Sequence, residues 1–419
     1  MISKGPPREA FVWIWLPGAA TPVVAGRLDA IGDIFTFTYG KSYLERHNAI
    51  PIYLPELPTI HGRQRPLGGL TIAGSIADAG PDSWGRRVIL ARHTGHLTKE
   101  SDTGELDELT YFLRSGSDRI GALDFQNSAT EYVARGAEKT FTVTELADAA
   151  DRLIAGEPLP EDLADALIRG TSVGGARPKA LLNDDDGASV IAKFSTAADP
   201  YPVIKAEGLA MDLARRVGLD VAGSRVEEVA GRDVLMVKRF DRTPNGGRRL
   251  MVSALTMLEL SELNARAATY VALTDIIRHR FVSPKATLRE LFRRIVFNIA
   301  VGNTDDHARN HAAFWDGQEL TLTPAYDIAP QLRSGNDVTQ AMAITRNGDR
   351  RARFSTCRAA AGEYLMSEPE ADEIIERTKQ VIHDEFEDAA EAARLTAFER
   401  RALWRRQILN PSIEYTFED

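Results

Sequence analysis

Nine residues, GNTDDHARN (Gly302–Asn310), follow a strongly apolar stretch and decide how the chain is read. They place two aspartates, a histidine and two asparagines at the end of a helix that belongs to a core. Upstream, Thr287 and Glu290 have the T-x-x-E spacing of a capping box. Leu288, Leu291, Phe292, Ile295, Val296 and Ile299 then repeat at i, i+3, i+4. The stripe predicts a helix packed into a core, and a rigid helix fixes the position of the loop that follows it. Downstream, Ala312–Trp315 and Glu319–Thr323 read as strands about an Asp316-Gly317 turn, and Pro324-Ala325-Tyr326-Asp327 comes next.

The layout is therefore core helix, polar loop with Asp305 and Asn310 five residues apart, hairpin, aspartate. Protein kinases use this order of parts: a loop aspartate accepts the hydroxyl proton, the asparagine binds Mg²⁺, and an aspartate beyond the hairpin binds Mg²⁺ too. Phosphoryl transfer needs little covalent help. It needs charge neutralisation and a base held in line. A D-x4-N spacing alone is a weak signal, and a polar turn explains any single residue of it. Asp327 at the right place in the element order carries the reading. Asn303 and Asp306 are read as turn and solvent residues.

The remaining kinase parts occur in order upstream. Lys193 lies in VIAKF, an otherwise apolar predicted strand, where a buried lysine needs a partner. Glu207, on a helix predicted from Pro202 to Val217 with a Gly218 stop, is that partner. The bland alternative is a lysine snorkelling at the strand edge. Gly174 and Gly175 in TSVGGARPK permit close backbone approach to phosphate oxygens, and Lys179 adds charge. A hairpin is expected from Lys179–Asn183 and Ala188–Phe194 about Asp184-Asp185-Asp186-Gly187. Val234–Phe240 reads as a buried strand, and Val237-Lys238-Arg239-Phe240 as the connector where adenine would meet backbone groups and an apolar side chain.

With 419 residues, 43% of them hydrophobic and 26% charged, the chain is long enough for two or three domains with sizeable cores. A net charge of −9 argues against an autonomous nucleic-acid binder. The arginine clusters at Arg248–Arg249, Arg350–Arg353 and Arg400–Arg406 read as solvated faces. The single cysteine, Cys357, excludes an intrachain disulfide and fits a reducing compartment. Phe11–Leu16 is too short for a signal-peptide core, and no apolar run approaches the roughly eighteen residues of a membrane span. The expected location is cytoplasmic.

Strand-like FVWIWL, VVAGRL and IFTFTY open the chain. In PDSWGRR, Asp82 is placed as an N-cap with Trp84 packing behind it. After Arg249 the pattern is mostly helical. The expected fold is α+β and bilobed, with a β-rich amino-terminal subdomain (1–145), a nucleotide-binding subdomain (146–250) and a helical lobe with the catalytic loop (251–419).

TSVGGARPKALL, VIAKF, VKRFDR, GNTDDHARN and LTPAYDIAP resemble the HipA family of serine/threonine kinases, toxin halves of bacterial type II toxin–antitoxin pairs. PDSWGRR extends the likeness into the amino-terminal part. The resemblance implies a bilobed protein-kinase-like fold and use of ATP and Mg²⁺. By that resemblance Asp305 would be the proton acceptor and Lys193 the phosphate contact. Gly174, Gly175, Ala176, Arg177 and Lys179 would lie in the phosphate loop, with Glu207 holding Lys193. Lys238 and Phe240 would hold adenine, His307 and Asn310 would sit in the nucleotide–metal site, and Asp327 would be the second Mg²⁺ ligand. Ser172 matches the autophosphorylated serine, with Thr171 as neighbouring alternative; added charge there would repel ATP phosphates or eject the loop. The implied partners are a HipB-like helix-turn-helix antitoxin, DNA only through that complex, and a protein substrate such as an aminoacyl-tRNA synthetase. No membrane partner is expected. The stretch RRLMVSALTML differs from the best-known members.

Three other readings compete. A small-molecule or lipid kinase would share the D-x-H-x2-N loop, and the absence of a basic membrane-binding helix disfavours a lipid substrate. A non-catalytic antitoxin-binding corepressor would not need Asp305, Asn310, Asp327 and Lys193 together. A metal hydrolase using Asp305, His307, His311 and Asp327 lacks further converging ligands.

Overall fold

The structure, a computed structural model, describes residues 6–94, 102–136, 141–170, 172–175, 177–184, 186–196, 199–333, 335 and 338–416. Its three sheets are antiparallel throughout. The first contains β1 (Glu9–Ile14), β2 (Val23–Ile31), β3 (Ile34–Tyr39), β4 (Arg63–Gln64) and β5 (Leu123–Gln126), in spatial order β4-β3-β2-β1-β5. β1, β2 and β3 are the aromatic and β-branched runs that open the chain, and they bury Val12, Ile14, Leu28 and Phe37.

The second sheet holds β6 (Lys179–Asn183), β7 (Ser189–Phe194), β8 (Ser224–Val229) and β9 (Arg232–Lys238), in order β6-β7-β9-β8. The expected hairpin is therefore present, its second strand starting one residue late; Asp185 of its turn lies outside the described residues. Alternation along β7 sends Val190, Ala192 and Phe194 into a cluster with Ala180, Val234 and Met236, covered by the helices Val143–Ile154 and Glu161–Arg169. The other face carries Lys193, paired in register with Lys179 on β6 and Leu235 on β9. The Val203–Arg216 helix packs on that face. Gly208 makes its close approach possible: a Cβ there would lie 2.2 Å from Val226 Cγ2.

The third sheet joins β10 (Met251–Ser253), β11 (Ala312–Trp315) and β12 (Leu320–Leu322) in order β10-β11-β12. The Pro284–Val301 helix, which precedes β11 in the chain, packs against the Tyr270–Arg280 and Glu368–Ala392 helices, and all six residues of the apolar stripe are buried. The Thr287–Glu290 capping box is not formed. The helix begins four residues earlier, with Ser283 at the N-cap and Pro284 at the first position, where the missing N–H costs nothing. Glu290 instead accepts from Arg293 and Arg294, both at 3.1 Å. Gly302, at φ +73°, ends the helix in the left-handed conformation and opens the loop. The rest is mostly helical, including Tyr270–Arg280, Phe354–Ala360 and Glu368–Ala392, so the architecture is α+β with a β-rich amino-terminal region and a helical carboxy-terminal part. Among the described residues no helix is long and apolar enough to cross a membrane.

Candidate active site

The centre of the site is the Lys193 ammonium. Its Nζ donates to Glu207 Oε1 at 2.6 Å and also bonds Asp327 Oδ1. Burial acts to lower the Lys193 ammonium, but Asp327 and Glu207 outweigh it and hold it well above the ordinary lysine value. Lys193 in turn lowers the Asp327 carboxyl. Burial raises Glu207, which is 2% exposed. Asp327 adopts φ +58°, a left-handed conformation that non-glycine residues rarely hold. The neighbouring backbone enforces it. Ala325 donates to Asp220 O at 2.8 Å, accepts from Ala222 N at 2.9 Å, and the Tyr326 hydroxyl donates to Arg309 O at 2.7 Å.

Asp305 is exposed, and the Asp327 and His307 side chains act on it electrostatically. Partial desolvation pushes its carboxyl up; His307 opposes this, while Asp327 and Asp306 add to it. Its backbone carbonyl accepts from His307 N at 2.8 Å and from Asn310 Nδ2 at 3.4 Å, so the loop closes on itself. Among the described residues no donor engages Asp327 Oδ2 or Asn310 Oδ1. Hard oxygen donors of this kind suit Mg²⁺, which keeps most of its coordination for water and phosphate. The residues present therefore fit an Mg²⁺–nucleotide.

Asn303 and Asp306 are not solvent residues. Both are buried, and Asp306 is the acceptor at the base of the loop. Its Oδ2 accepts from the Tyr270 hydroxyl at 2.5 Å, Asn298 Nδ2 at 2.8 Å and His311 Nε2 at 3.0 Å. Asn303 Nδ2 donates to Asn298 Oδ1 at 3.0 Å. Burial acts to raise Asp306, yet His311 and the hydroxyl hold it below the ordinary value. A buried carboxylate is tolerable when three donors converge on it.

In the glycine-containing loop, Gly174 and Gly175 take φ +84° and +96°, conformations that favour glycine. Thr171 and Ala176 lie outside the described residues. Arg177 pairs with Asp199 at 2.7 Å. Lys179 is 1% exposed, and its ammonium donates to Asp82 Oδ2 at 3.0 Å and to Gly175 O at 2.9 Å. Burial lowers the Lys179 ammonium and raises the Asp82 carboxyl. Asp82 also caps the Ser83–Thr94 helix as expected, accepting from Gly85 N at 2.6 Å. The Ser172 hydroxyl is buried, with no hydrogen-bond partner among the described residues, and the Ser172 carbonyl accepts from Ile120 N at 2.9 Å.

At the connector, Phe240 packs against Tyr326 and Phe314, with ring centroids 5.7 and 6.0 Å away. Lys238 is exposed, its backbone N–H donating to Gly223 O at 2.7 Å. Between them Arg239 turns inward to Asp241 and to Asp118 Oδ1, the latter at 2.9 Å. Arg242 meets the same Asp118 oxygen at 2.6 Å. The structure thus joins Lys193, Glu207 and Asp327, brings Asp305 and His307 within electrostatic reach of Asp327, and closes Asn310 onto Asp305, while Phe240 packs on Tyr326 and Lys238 lies outside these contacts.

Four residues of this region escaped the sequence reading: Asp78, Tyr270, Arg309 and, as a structural carboxylate, Asp306. For the Lys179–Asp82 pair a signal existed, since a lysine on a buried strand requires a carboxylate and PDSWGRR supplies one.

The sequence profile of the HipA-like C-terminal domain matches residues 171–386. The candidate kinase Y4mE of Sinorhizobium fredii is 26% identical over 323 residues, covering 72% of this chain and 73% of that protein. A second candidate kinase from the same organism, Y4dM, is 28% identical over 131 residues, 28% of this chain and 32% of its own length. Among solved structures, HipA of Shewanella oneidensis, determined with HipB and its operator DNA, superposes with a TM-score of 0.68 at 18% identity, over 97% of this chain and 100% of that one. That likeness is one of fold. The matched profile spans more than half of the chain, and the protein belongs to the family with a HipA-like C-terminal domain.

Proposed function

We propose that the protein is an ATP- and Mg²⁺-dependent protein serine/threonine kinase of HipA type and the toxin half of a toxin–antitoxin pair. The observation that carries this reading is the Lys193 ammonium bound by both Glu207 and Asp327 beside the Asp305–Asn310 loop. In this reading Lys193 and the Gly174, Gly175, Arg177 and Lys179 loop bind the triphosphate. Phe240 and Lys238 border adenine, and His307 supports the nucleotide from the catalytic loop. Asn310 and Asp327 would hold Mg²⁺, which when bound neutralises charge on the phosphates. Asp305 accepts the proton of the attacking hydroxyl while the new oxygen–phosphorus bond forms and the bond to ADP breaks; its upward-shifted carboxyl is the right direction for a base.

The acceptors are a serine or threonine of a protein substrate, an aminoacyl-tRNA synthetase among the candidates, and Ser172 of the chain itself. Because the Ser172 hydroxyl is buried, a phosphate there requires its loop to leave, which would end activity. The Shewanella HipA was solved with HipB and operator DNA, which supports a HipB-like helix-turn-helix antitoxin and DNA contact through that complex. The division into 1–145, 146–250 and 251–419 and a cytoplasmic location belong to the same proposal. Phosphopeptide mapping after incubation with Mg²⁺ and labelled ATP tests it. Label on Ser172 that is lost in Asp305→Ala supports the reading; transfer only to a small alcohol sinks it.

A further inference from the structure

The segment Asp78-Ala79-Gly80-Pro81-Asp82 touches both halves of the cleft. At one end Asp82 holds Lys179, at the root of the glycine-containing loop, at 3.0 Å. At the other, Asp78 Oδ1 meets Arg309 Nη1 at 3.2 Å, and Arg309 directly precedes Asn310 in the catalytic loop. Asp78 is also tied to β10 and to the short Ala254–Met257 helix after it. It accepts from Ser253 N at 2.7 Å, Ser253 Oγ at 2.8 Å and Thr256 Oγ1 at 2.8 Å.

The segment between the two aspartates is itself rigid. The fully buried Arg119 donates to Ala79 O at 3.1 Å and to Asp124 at 2.8 Å, and a Cβ on Gly80 would lie 3.0 Å from Ala77 O. The short helix before Asp78 is capped by Glu56, which accepts from Gly74 N and Ser75 N at 2.8 and 2.9 Å. Two carboxylates four residues apart on one stiff segment thus grip loops that lie 130 positions apart in the chain (Lys179 and Arg309).

We infer that Asp78 and Asp82 form a clasp through which the amino-terminal region sets the spacing of the phosphate-binding and catalytic loops, each aspartate acting as a positioning residue for one of them. A buried lysine paired with a buried aspartate is seldom the cheapest way to stabilise a fold, since apolar side chains of similar volume do as well or better. What the pair supplies is a fixed position for the Gly175 carbonyl, which shares the Lys179 ammonium with Asp82. At the other end, Arg309 also bonds Glu262, and its carbonyl accepts from Tyr326 beside Asp327, so its guanidinium ties the catalytic loop to the clasp.

This inference rests on the kinase reading, and its test separates the two. In the full chain, Asp82→Asn is expected to raise KM for ATP about tenfold with kcat within about twofold; Asp78→Asn is expected to lower kcat about tenfold with KM within about twofold. Amide hydrogen exchange is measured on the same proteins. Asp82→Asn should speed exchange at residues 172–183 alone, and Asp78→Asn at residues 303–311 alone, with Lys179→Met and Arg309→Gln reproducing each pattern from the partner's side. Parent protein that turns over no ATP refutes the kinase reading while exchange still reports on the clasp. Exchange that stays at the parent rate in both loops, or rises across the whole chain in every variant, overturns the clasp.

Discussion

Lys179 and Lys193 stand directly opposite one another on β6 and β7, and their ammonium groups are neutralised by different parts of the chain. Lys179 takes Asp82, 97 residues earlier, whereas Lys193 takes Glu207 and Asp327, the latter 134 residues later. Like charges directly across a ladder repel. Here the repulsion is offset by three carboxylates that arrive from three separate parts of the chain, so the sheet can hold two cations on one face only when the amino-terminal region, the Val203–Arg216 helix and the segment after β12 that carries Asp327 are all docked.

The two adjacent aspartates of the loop should behave oppositely. Asp305 is exposed and bonded by no side-chain donor among the described residues, so Asp305→Ala should abolish phosphoryl transfer and leave the melting temperature within a degree or two of the parent's, as surface substitutions usually do. Asp306→Ala strips the acceptor from Tyr270, Asn298 and His311, and each buried donor left unpaired costs about 1–3 kcal/mol. Thermal unfolding of the two variants should show a clear drop only for Asp306→Ala. Equal melting temperatures would remove Asp306 from its structural role.

Gly208→Val should cost stability and activity together. Even the first carbon of the new side chain meets Val226, and overpacking of this kind costs roughly 1–3 kcal/mol. The helix must move away from the sheet, and Glu207, the preceding residue, moves with it off Lys193. Denaturant midpoints and ATP turnover measured on one preparation check both halves of the expectation.

Acid should weaken the joint between the connector and residues 118–121. Burial acts to raise the Asp118 carboxyl, but Arg239 and Arg242 outweigh it and hold it down at about 2. A folded value below the unfolded one of roughly 3.9 means that the stabilisation is complete above that value. It is lost as pH falls through about 2. Stability measured against pH should therefore fall between about pH 4 and pH 2, and Asp118→Asn should flatten that part of the curve. An unchanged acid limb in the variant would contradict this assignment.

Much of the cleft was legible in the amino-acid sequence because its parts are local. The apolar stripe from Leu288 to Ile299, the hairpin after the loop, the β6–β7 hairpin and the partnership of Lys193 with Glu207 each follow from spacing within a few tens of residues. The helix start was misjudged because Thr287 and Glu290 have capping-box chemistry, yet Ser283-Pro284 offers an earlier start and Glu290 is drawn to two arginines. Asp306 was misread because polarity inside a loop resembles solvation, and only the arrival of Tyr270 and His311 reveals burial. Asp78 and Arg309 are 231 residues apart, and no periodicity or motif encodes a contact of that kind.

The most direct test of the account is MgATP turnover by the parent protein and by Lys193→Met, with folding of both verified by near-ultraviolet circular dichroism. The account predicts turnover in the parent and a loss of at least about a hundredfold in the folded variant, since the ammonium that joins Glu207 to Asp327 is removed. A folded Lys193→Met protein that turns over ATP at the parent's rate would contradict it.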